Sequence, residues 1–286
     1  MKKIFVLVFA SISTFYFSQQ KIIVTDAETQ KPIPYAKLIL KGKDYYRNTE
    51  ENGEITLERD EEVSEIQSFG YENLLVQENK AKYFLKPKVI EIDEVTLVKP
   101  KFAHSFKIGS LKTYGSFGGG FKKLSSFWGK IITSKISVDK PLFIKNIRFK
   151  TTSDKENVVI KIVIFENSNG LPGEVLRSEE IVCKIGKNKT QEFEPKLLVF
   201  PKEGVIVGFE WVLNETNKYE STMIVDDLGT KGKIELYLPH LSGSKEEDGN
   251  LIWGSLKDGS WKFRNIEQTE RFKHKFNPAI EVELTD

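Results

Sequence analysis

The chain has 286 residues, 39% of them hydrophobic, and a formal net charge of +2. That length supports two domains with adequate cores of their own, and the near-neutral balance lacks the overall basic field of a nucleic-acid binder, so no nucleic-acid partner is expected. The single cysteine, Cys183, excludes an intramolecular disulfide scaffold.

The first residues carry Lys2 and Lys3, then an apolar run from Ile4 to about Phe17, then Ser18, Gln19 and Gln20. Charge, short apolar core and polar exit in that order read as a secretory signal peptide over residues 1–19, too short to span a bilayer stably. The position three before a cut after Ser18 is Tyr16 rather than a small residue, which leaves the cleavage point open. Export puts the mature chain in the periplasm, at the outer membrane or outside the cell. No later segment approaches the roughly 20 apolar residues of a membrane helix, and no cysteine beside the signal can take a lipid.

From Gln20 onward the chain reads as β, with Val, Ile, Thr, Phe and Tyr in alternating runs punctuated by Asn-Gly and Asp-Gly pairs. "KIIV" predicts a strand. In "TDAETQKPIP", Asp26 and Thr29 can hydrogen-bond the backbone while Pro32 and Pro34 fix φ, which predicts a turn. "YAKLILK" then puts Ala36, Leu38 and Leu40 on one face. Asn52-Gly53 in "NTEENGEITLE" predicts a tight turn. "VSEIQSFGYENLLVQ", "AKYFLKP" and "IEIDEVTLV" supply further strands, and about seven short strands in this span predict a small antiparallel sandwich.

"VTDAETQKPIPYAKLIL", "NTEENGEITL", "FGYE" and "IDEVTLV" together resemble the carboxypeptidase-regulatory-like domain, a transthyretin-like sandwich that often follows the signal peptide in exported proteins of Bacteroidetes-type bacteria. The resemblance covers residues 20–98. The sequence departs from the pattern at Lys21 and its neighbours, which lack the usual glycine of the first strand, and at Tyr35, where a glycine is common. The domain is an accessory module in that family, so the resemblance implies no catalytic residues.

Residues 99–123 read as a linker, because Pro100, Gly109, Gly115 and "GSFGGGFKK" disfavour a packed strand. "GGGFKKLSS" lacks the spacing of a phosphate-binding loop and the strand that precedes one. From Lys99 to Lys150 there are eleven lysines and Arg148 against one acid, Asp139. This block could meet an anionic surface; a solvated linker with outward strand lysines is the preferred reading.

From residue 124 to 286 the β pattern resumes. "PLFIKNIRFKT" alternates, "NVVIKIVIFEN" is almost continuously β-branched, and "GVIVGFEWVL" aligns Val205, Val207, Phe209, Trp211 and Leu213. Runs that are apolar on both faces predict central strands covered from both sides. The "FENSNGLPGEVL" hairpin with "FPKEGVIVGFEW" resembles the jelly-roll sandwiches of secreted Bacteroidetes-type proteins. The expected fold is therefore all-β, a small transthyretin-like sandwich followed by a larger jelly-roll-like one.

Candidate chemistry is sparse. His104, His240 and His274 are isolated and read as surface or turn residues, and neither a Gly-x-Ser-x-Gly elbow nor a zinc motif is present. Asp226-Asp227 and Glu246-Glu247-Asp248 lack the alternation of a calcium loop and read as solvated turns. No metal or cofactor is expected. Cys183, alternating with Ile181 and Ile185, reads as a small core residue. Trp211 reads as core. Trp253 and Trp261, among polar residues in "EDGNLIWGSLKDGSWKFRN", could project from a hairpin as a sugar platform, with Trp128 in "SSFWGK" as a third candidate; edge packing is the preferred alternative. The expected function is a non-enzymatic envelope protein that binds or scaffolds another envelope protein or a glycan. A carbohydrate-binding module is the first alternative and a hydrolase with an unrecognised site the second. A membrane barrel is disfavoured, because "PAIEVELTD" lacks a terminal aromatic.

Overall fold

In the computed structural model, described over residues 20–88, 104–116, 120–121, 126–134, 141–196, 198–224, 231–244, 251–257, 259–266 and 277–286, every regular element is a strand. The expected signal peptide and the "IEIDEVTLV" strand lie outside the described residues. In chain order the first strands are β1 (Gln20–Asp26), β2 (Lys37–Leu40), β3 (Tyr46–Asn48), β4 (Glu54–Leu57), β5 (Val63–Gln67), β6 (Leu74–Leu75) and β7 (Lys82–Leu85). There follow β8 (Ser105–Gly109), β9 (Thr113–Ser116), β10 (Gly120–Phe121), β11 (Ser126–Ile132), β12 (Leu142–Ser153), β13 (Val159–Ser168), β14 (Leu171–Val182), β15 (Gly186–Phe193) and β16 (Leu198–Phe200). The last are β17 (Val205–Trp211), β18 (Lys218–Ile224), β19 (Lys231–Tyr237), β20 (His240–Ser244), β21 (Leu251–Lys257), β22 (Ser260–Asn265), β23 (Asn277–Pro278) and β24 (Ile280–Thr285). The fold is all-β and sandwich-like.

The chain divides into two compact units. The first comprises residues up to Lys41 and Thr49–Lys88; the second comprises Gly42–Asn48 and Val89–Asp286. A seven-residue segment within the span expected for the first domain, Gly42–Asn48, counts with the second unit.

In the first unit β1 is central, antiparallel to β4 and parallel to β7. Alternation sends Ile22 and Val24 of β1, Ile55 and Leu57 of β4, and Tyr83 and Leu85 of β7 inward. A second layer of β2, β5 and β6 supplies Leu38, Leu40, Val63 and Ile66. Each such aliphatic side chain contributes about 1.5–3 kcal/mol by burial. The expected turn forms: Asp26 Oδ1 accepts from the backbone N–H groups of Glu28 and Thr29, both at 2.8 Å, and Asp26 Oδ2 accepts from the Tyr71 hydroxyl at 3.0 Å. The Thr29 backbone N–H is the first of the bonds that hold the Asp26 carboxyl below its usual range. Gly53 donates its N–H to the Glu50 carbonyl at 2.9 Å and closes the turn into β4.

In the second unit a six-stranded antiparallel sheet runs β14-β13-β17-β11-β21-β22. β17 lies between β13 and β11 and is buried at all seven positions, as its two-sided apolar pattern predicts. The β13–β14 hairpin turns at Asn169-Gly170, both with positive φ. An eight-stranded sheet is built on β12, which pairs with β15, β16, β20 and β24. Phe149 of β12 and Phe209 of β17 pack with ring centroids 4.7 Å apart and join the two sheets in one core.

The segment expected to be a linker is partly ordered sheet. β8 pairs with β24 from Phe106↔Leu284 to Gly109↔Glu281, β9 pairs with β20, and β10 pairs with β19. Two of its glycines serve close approach: a Cβ on Gly109 would collide with the Ile280 carbonyl oxygen, and one on Gly120 would sit 2.5 Å from Trp211 Cγ.

Candidate functional site

Two surfaces carry the side chains a binding function would use, one in each unit. In the first unit, β6 ends one layer and β7 ends the other. The six-residue connection Val76–Ala81 joins them and leaves an open groove of about 530 Å³ lined by Leu74, Leu75, Val76, Tyr83 and Phe84, with Glu78, Lys80 and Lys82 at its rim. That volume falls within the range of about 300–1,000 Å³ usual for ligand sites. Leu75 is 75% exposed and Phe84 43% exposed. Adjoining exposed apolar side chains are a feature of interaction surfaces. The Lys82 ammonium stands 4.8 Å from the centre of the Phe84 ring, so the exposed aromatic face is already electrostatically paired with a cation.

Strand alternation produces this arrangement. In "KYFL", Tyr83 and Leu85 point into the core and Lys82 and Phe84 point out. Leu74 faces the same layer as Ile66, with which it is paired, while Leu75 faces out. The Tyr83 hydroxyl accepts from the Lys80 backbone N–H at 2.8 Å and donates to the Glu78 carbonyl at 3.2 Å, which fixes the connection that floors the groove.

In the second unit the three tryptophans singled out from the sequence are all on strands, not on loops. Trp128 of β11 is paired with Trp253 of β21, and Trp253 with Arg264 of β22, so the three form one row on one face of the sheet. The Arg264 guanidinium carbon lies 4.2 Å from the centre of the Trp253 ring. Trp261 is on the opposite face. It is stacked on Phe263 at 6.0 Å and packs against a core of Phe127, Phe165, Val163, Ile131, Ile206 and Ile252. Trp253 and Trp261 therefore cannot form a common platform.

That inner aromatic cluster rests on a bed of glycines. Gly129, Gly208 and Gly254 lie on the adjacent strands β11, β17 and β21; a Cβ on Gly208 would collide with the Phe127 ring, and one on Gly254 would meet Phe263 at 2.7 Å. The two ends of this sheet, β14 and β22, come into contact, so the sheet curls around the rings. Tyr46 of β3 closes the cluster edge-on to Trp261 at 6.1 Å and donates its hydroxyl hydrogen bond to the Trp211 carbonyl at 2.7 Å. Burial pushes the Tyr46 phenol well above its usual range, so it stays a donor. Trp211 is core, as expected, and its indole donates to the Pro239 carbonyl at 2.8 Å.

The titratable residues take structural roles. Cys183 is 4% exposed, and burial pushes its thiol up to about 12. His104 donates its backbone N–H to Asp286 Oδ1 at 2.9 Å, and its ring Nδ1 lies 3.2 Å from Asp286 Oδ2. His240 opens β20 rather than sitting in a loop, and its Nε2 lies 3.0 Å from the Tyr219 hydroxyl. In the basic block, Lys145 pairs with Glu283 at 2.7 Å, and Lys107 and Arg148 pair with Glu281. The Lys145 hydrogen bond is the main reason the Glu283 carboxyl is held below its usual range. Lys130, in the same block, is buried. His274 and the acidic pairs Asp226-Asp227 and Glu246-Glu247-Asp248 lie outside the described residues, as does the "GGGFKK" run apart from Gly120 and Phe121. Among the described residues no three of His, Cys, Asp or Glu come together as a metal cage.

No protein-family model matches the chain, and no curated protein matches it. Among solved structures, the chain is similar to the cysteine protease and lectin-like domains of Cwp84, a surface layer associated protein of Clostridium difficile. There the identity is 16% over 56% of this chain and 32% of that one, with a TM-score of 0.32. It is also similar to the clostridial cysteine protease Cwp84 after propeptide cleavage, with 12% identity over 84% of this chain and 51% of that one, again with a TM-score of 0.32. The chain thus spans between a third and a half of these proteins, and neither likeness reaches the level of a shared fold.

Proposed function

We propose that this is an exported, non-enzymatic envelope protein whose first unit binds another envelope component. The observation that carries the reading is the open apolar groove between β6 and β7, with Leu75 and Phe84 exposed at its edges. Its lining combines apolar side chains with a rim of Glu78, Lys80 and Lys82, a composition suited to gripping a ligand. The charge, apolar core and polar exit of residues 1–19 support export, and the motif order resembling the regulatory-like domain supports an accessory role.

The test is affinity capture from envelope extract with the parent protein and with a Leu75→Asp, Phe84→Ser double variant. Both side chains are solvent-facing, so the variant is expected to fold. A specific partner retained by the parent and lost from the variant is the expected result; identical capture by both overturns the reading.

A carbohydrate-binding reading rests on the Trp128, Trp253 and Arg264 row, because an indole flanked by a guanidinium can pack against a sugar ring while hydrogen-bonding its hydroxyls or carboxylate. A glycan array with the parent and a Trp253→Ala variant decides it: binding lost with Trp253 is expected on this reading, and no binding by the parent removes it.

A further inference from the structure

The hydrogen bonds of β7 determine which of its backbone groups are engaged. The Ile23 N–H donates to the Ala81 carbonyl at 2.9 Å, the Thr25 hydroxyl to the Tyr83 carbonyl at 3.1 Å, and the Ala27 N–H to the Leu85 carbonyl at 2.8 Å. Residues 81, 83 and 85 therefore turn their backbone toward β1. By alternation, the N–H and C=O of Lys82 and Phe84 turn the other way, where the sheet order ends. Among the described residues this edge is unpaired, and it is short and bounded on both sides. Beyond Leu85, the Lys86 carbonyl accepts from the Glu72 N–H and the Lys88 N–H donates to the Gly70 carbonyl, each at 2.8 Å; before Lys82, the Lys80 N–H is held by the Tyr83 hydroxyl.

An exposed edge flanked by an apolar groove is the arrangement used for peptide capture by strand addition. We propose that β7 accepts an extended segment of a partner polypeptide, in which apolar residues alternate with carboxylates, as an added edge strand. The proposal rests on the groove reading above and says how the groove is used. Four backbone groups, the N–H and C=O of Lys82 and Phe84, anchor the segment. On an added strand, side chains alternate between faces. Those on the inner face enter the groove against Leu74, Val76 and Tyr83 and are apolar. Those on the outer face come beside Lys82, with Lys80 and Glu78 at the rim, and the excess of two cations over one carboxylate selects acidic side chains there. Opposite charges across neighbouring strands stabilise the pair and like charges oppose it. A strand with the reverse charge pattern would bring cations onto Lys82 and Lys80.

The test uses the full chain and a blocked synthetic decapeptide of alternating valine and glutamate, labelled for fluorescence anisotropy, with backbone amide NMR as the site readout. Three controls accompany it: the same peptide with lysine for glutamate, the same peptide N-methylated at alternate amides, and polygalacturonate as an acidic polymer without a peptide backbone. Saturable binding of the glutamate peptide is expected, with amide shifts at Lys82 and Phe84, and binding weaker by about tenfold or more for the lysine and N-methylated peptides. Lys82→Glu, an exposed substitution, is expected to reverse the preference toward the lysine peptide. Absence of saturable binding, or polygalacturonate displacing the peptide from these amides as well as unlabelled peptide does, overturns the proposal. Equal binding of the N-methylated peptide also overturns strand addition but leaves the groove reading standing. Failure of the groove reading is read separately, as envelope capture unchanged by Leu75→Asp, Phe84→Ser.

Discussion

At residue scale the clearest consequences follow from side chains whose surroundings set their chemistry. Cys183 combines near-complete burial with a thiol pushed up to about 12, so at pH 8 about one in ten thousand is ionised. Native protein is expected to resist an aromatic disulfide reagent over hours and to react with one equivalent in denaturant; labelling within minutes in the native state would contradict the burial. Asp26 gives a pH dependence of known sign. Its carboxyl is held low, first by the Thr29 backbone N–H. It therefore stabilises the fold above the unfolded carboxylate range, near pH 4, and the contribution disappears as pH falls through the lower folded value. The stability gap between the parent and Asp26→Asn, measured by denaturant unfolding, is expected to be largest near neutrality and to narrow below about pH 4. Tyr35 shows how a departure from a sequence pattern reads out physically. The resemblance puts a glycine there, and the backbone does adopt φ of 53°, the left-handed region that glycine occupies without strain.

At element scale, legibility followed the range of the interaction. The Asp26 turn, the Asn52-Gly53 turn, the Asn169-Gly170 hairpin and the doubly buried β17 were all readable, because each is set by residues within about ten positions of one another. β8 was not. Its "SFKIG" alternation is short, its lysine and glycine imitate a linker, and its partner β24 lies at the far end of the sequence. The tryptophans divide the same way. That Trp253 and Trp261 share one hairpin was visible; that the β21–β22 register turns them to opposite faces was not. The glycines of β11, β17 and β21 carry no turn signal, and their role as a seat for Phe127 emerges only when three strands align. Gly208→Ala would drive a methyl group into the Phe127 ring. Overpacking of this kind costs about 1–3 kcal/mol, measurable as a lower denaturant midpoint. An unchanged midpoint would mean that the Phe127 ring does not pack against Gly208.

At the scale of the whole molecule, the all-β architecture was legible from composition and alternation, and the groove was not. Nothing in "NLLVQENKAKYFL" marks Leu75 and Phe84 as the outward members of their strands until β6 and β7 are each seen to end a layer. The basic block reads differently once folded. Among its described residues, Lys107, Lys145 and Arg148 are engaged by the carboxylates of β24. The proposed function turns on whether the groove between β6 and β7 meets a partner. The most direct measurement is site-specific photo-crosslinking in living cells, with the reactive amino acid in place of Leu75 or, as an exposed control in the other unit, Val199. The account predicts a discrete adduct from position 75 only, mapping to a segment of the partner in which apolar and acidic residues alternate. No adduct from position 75, or the same adducts from both positions, would contradict it.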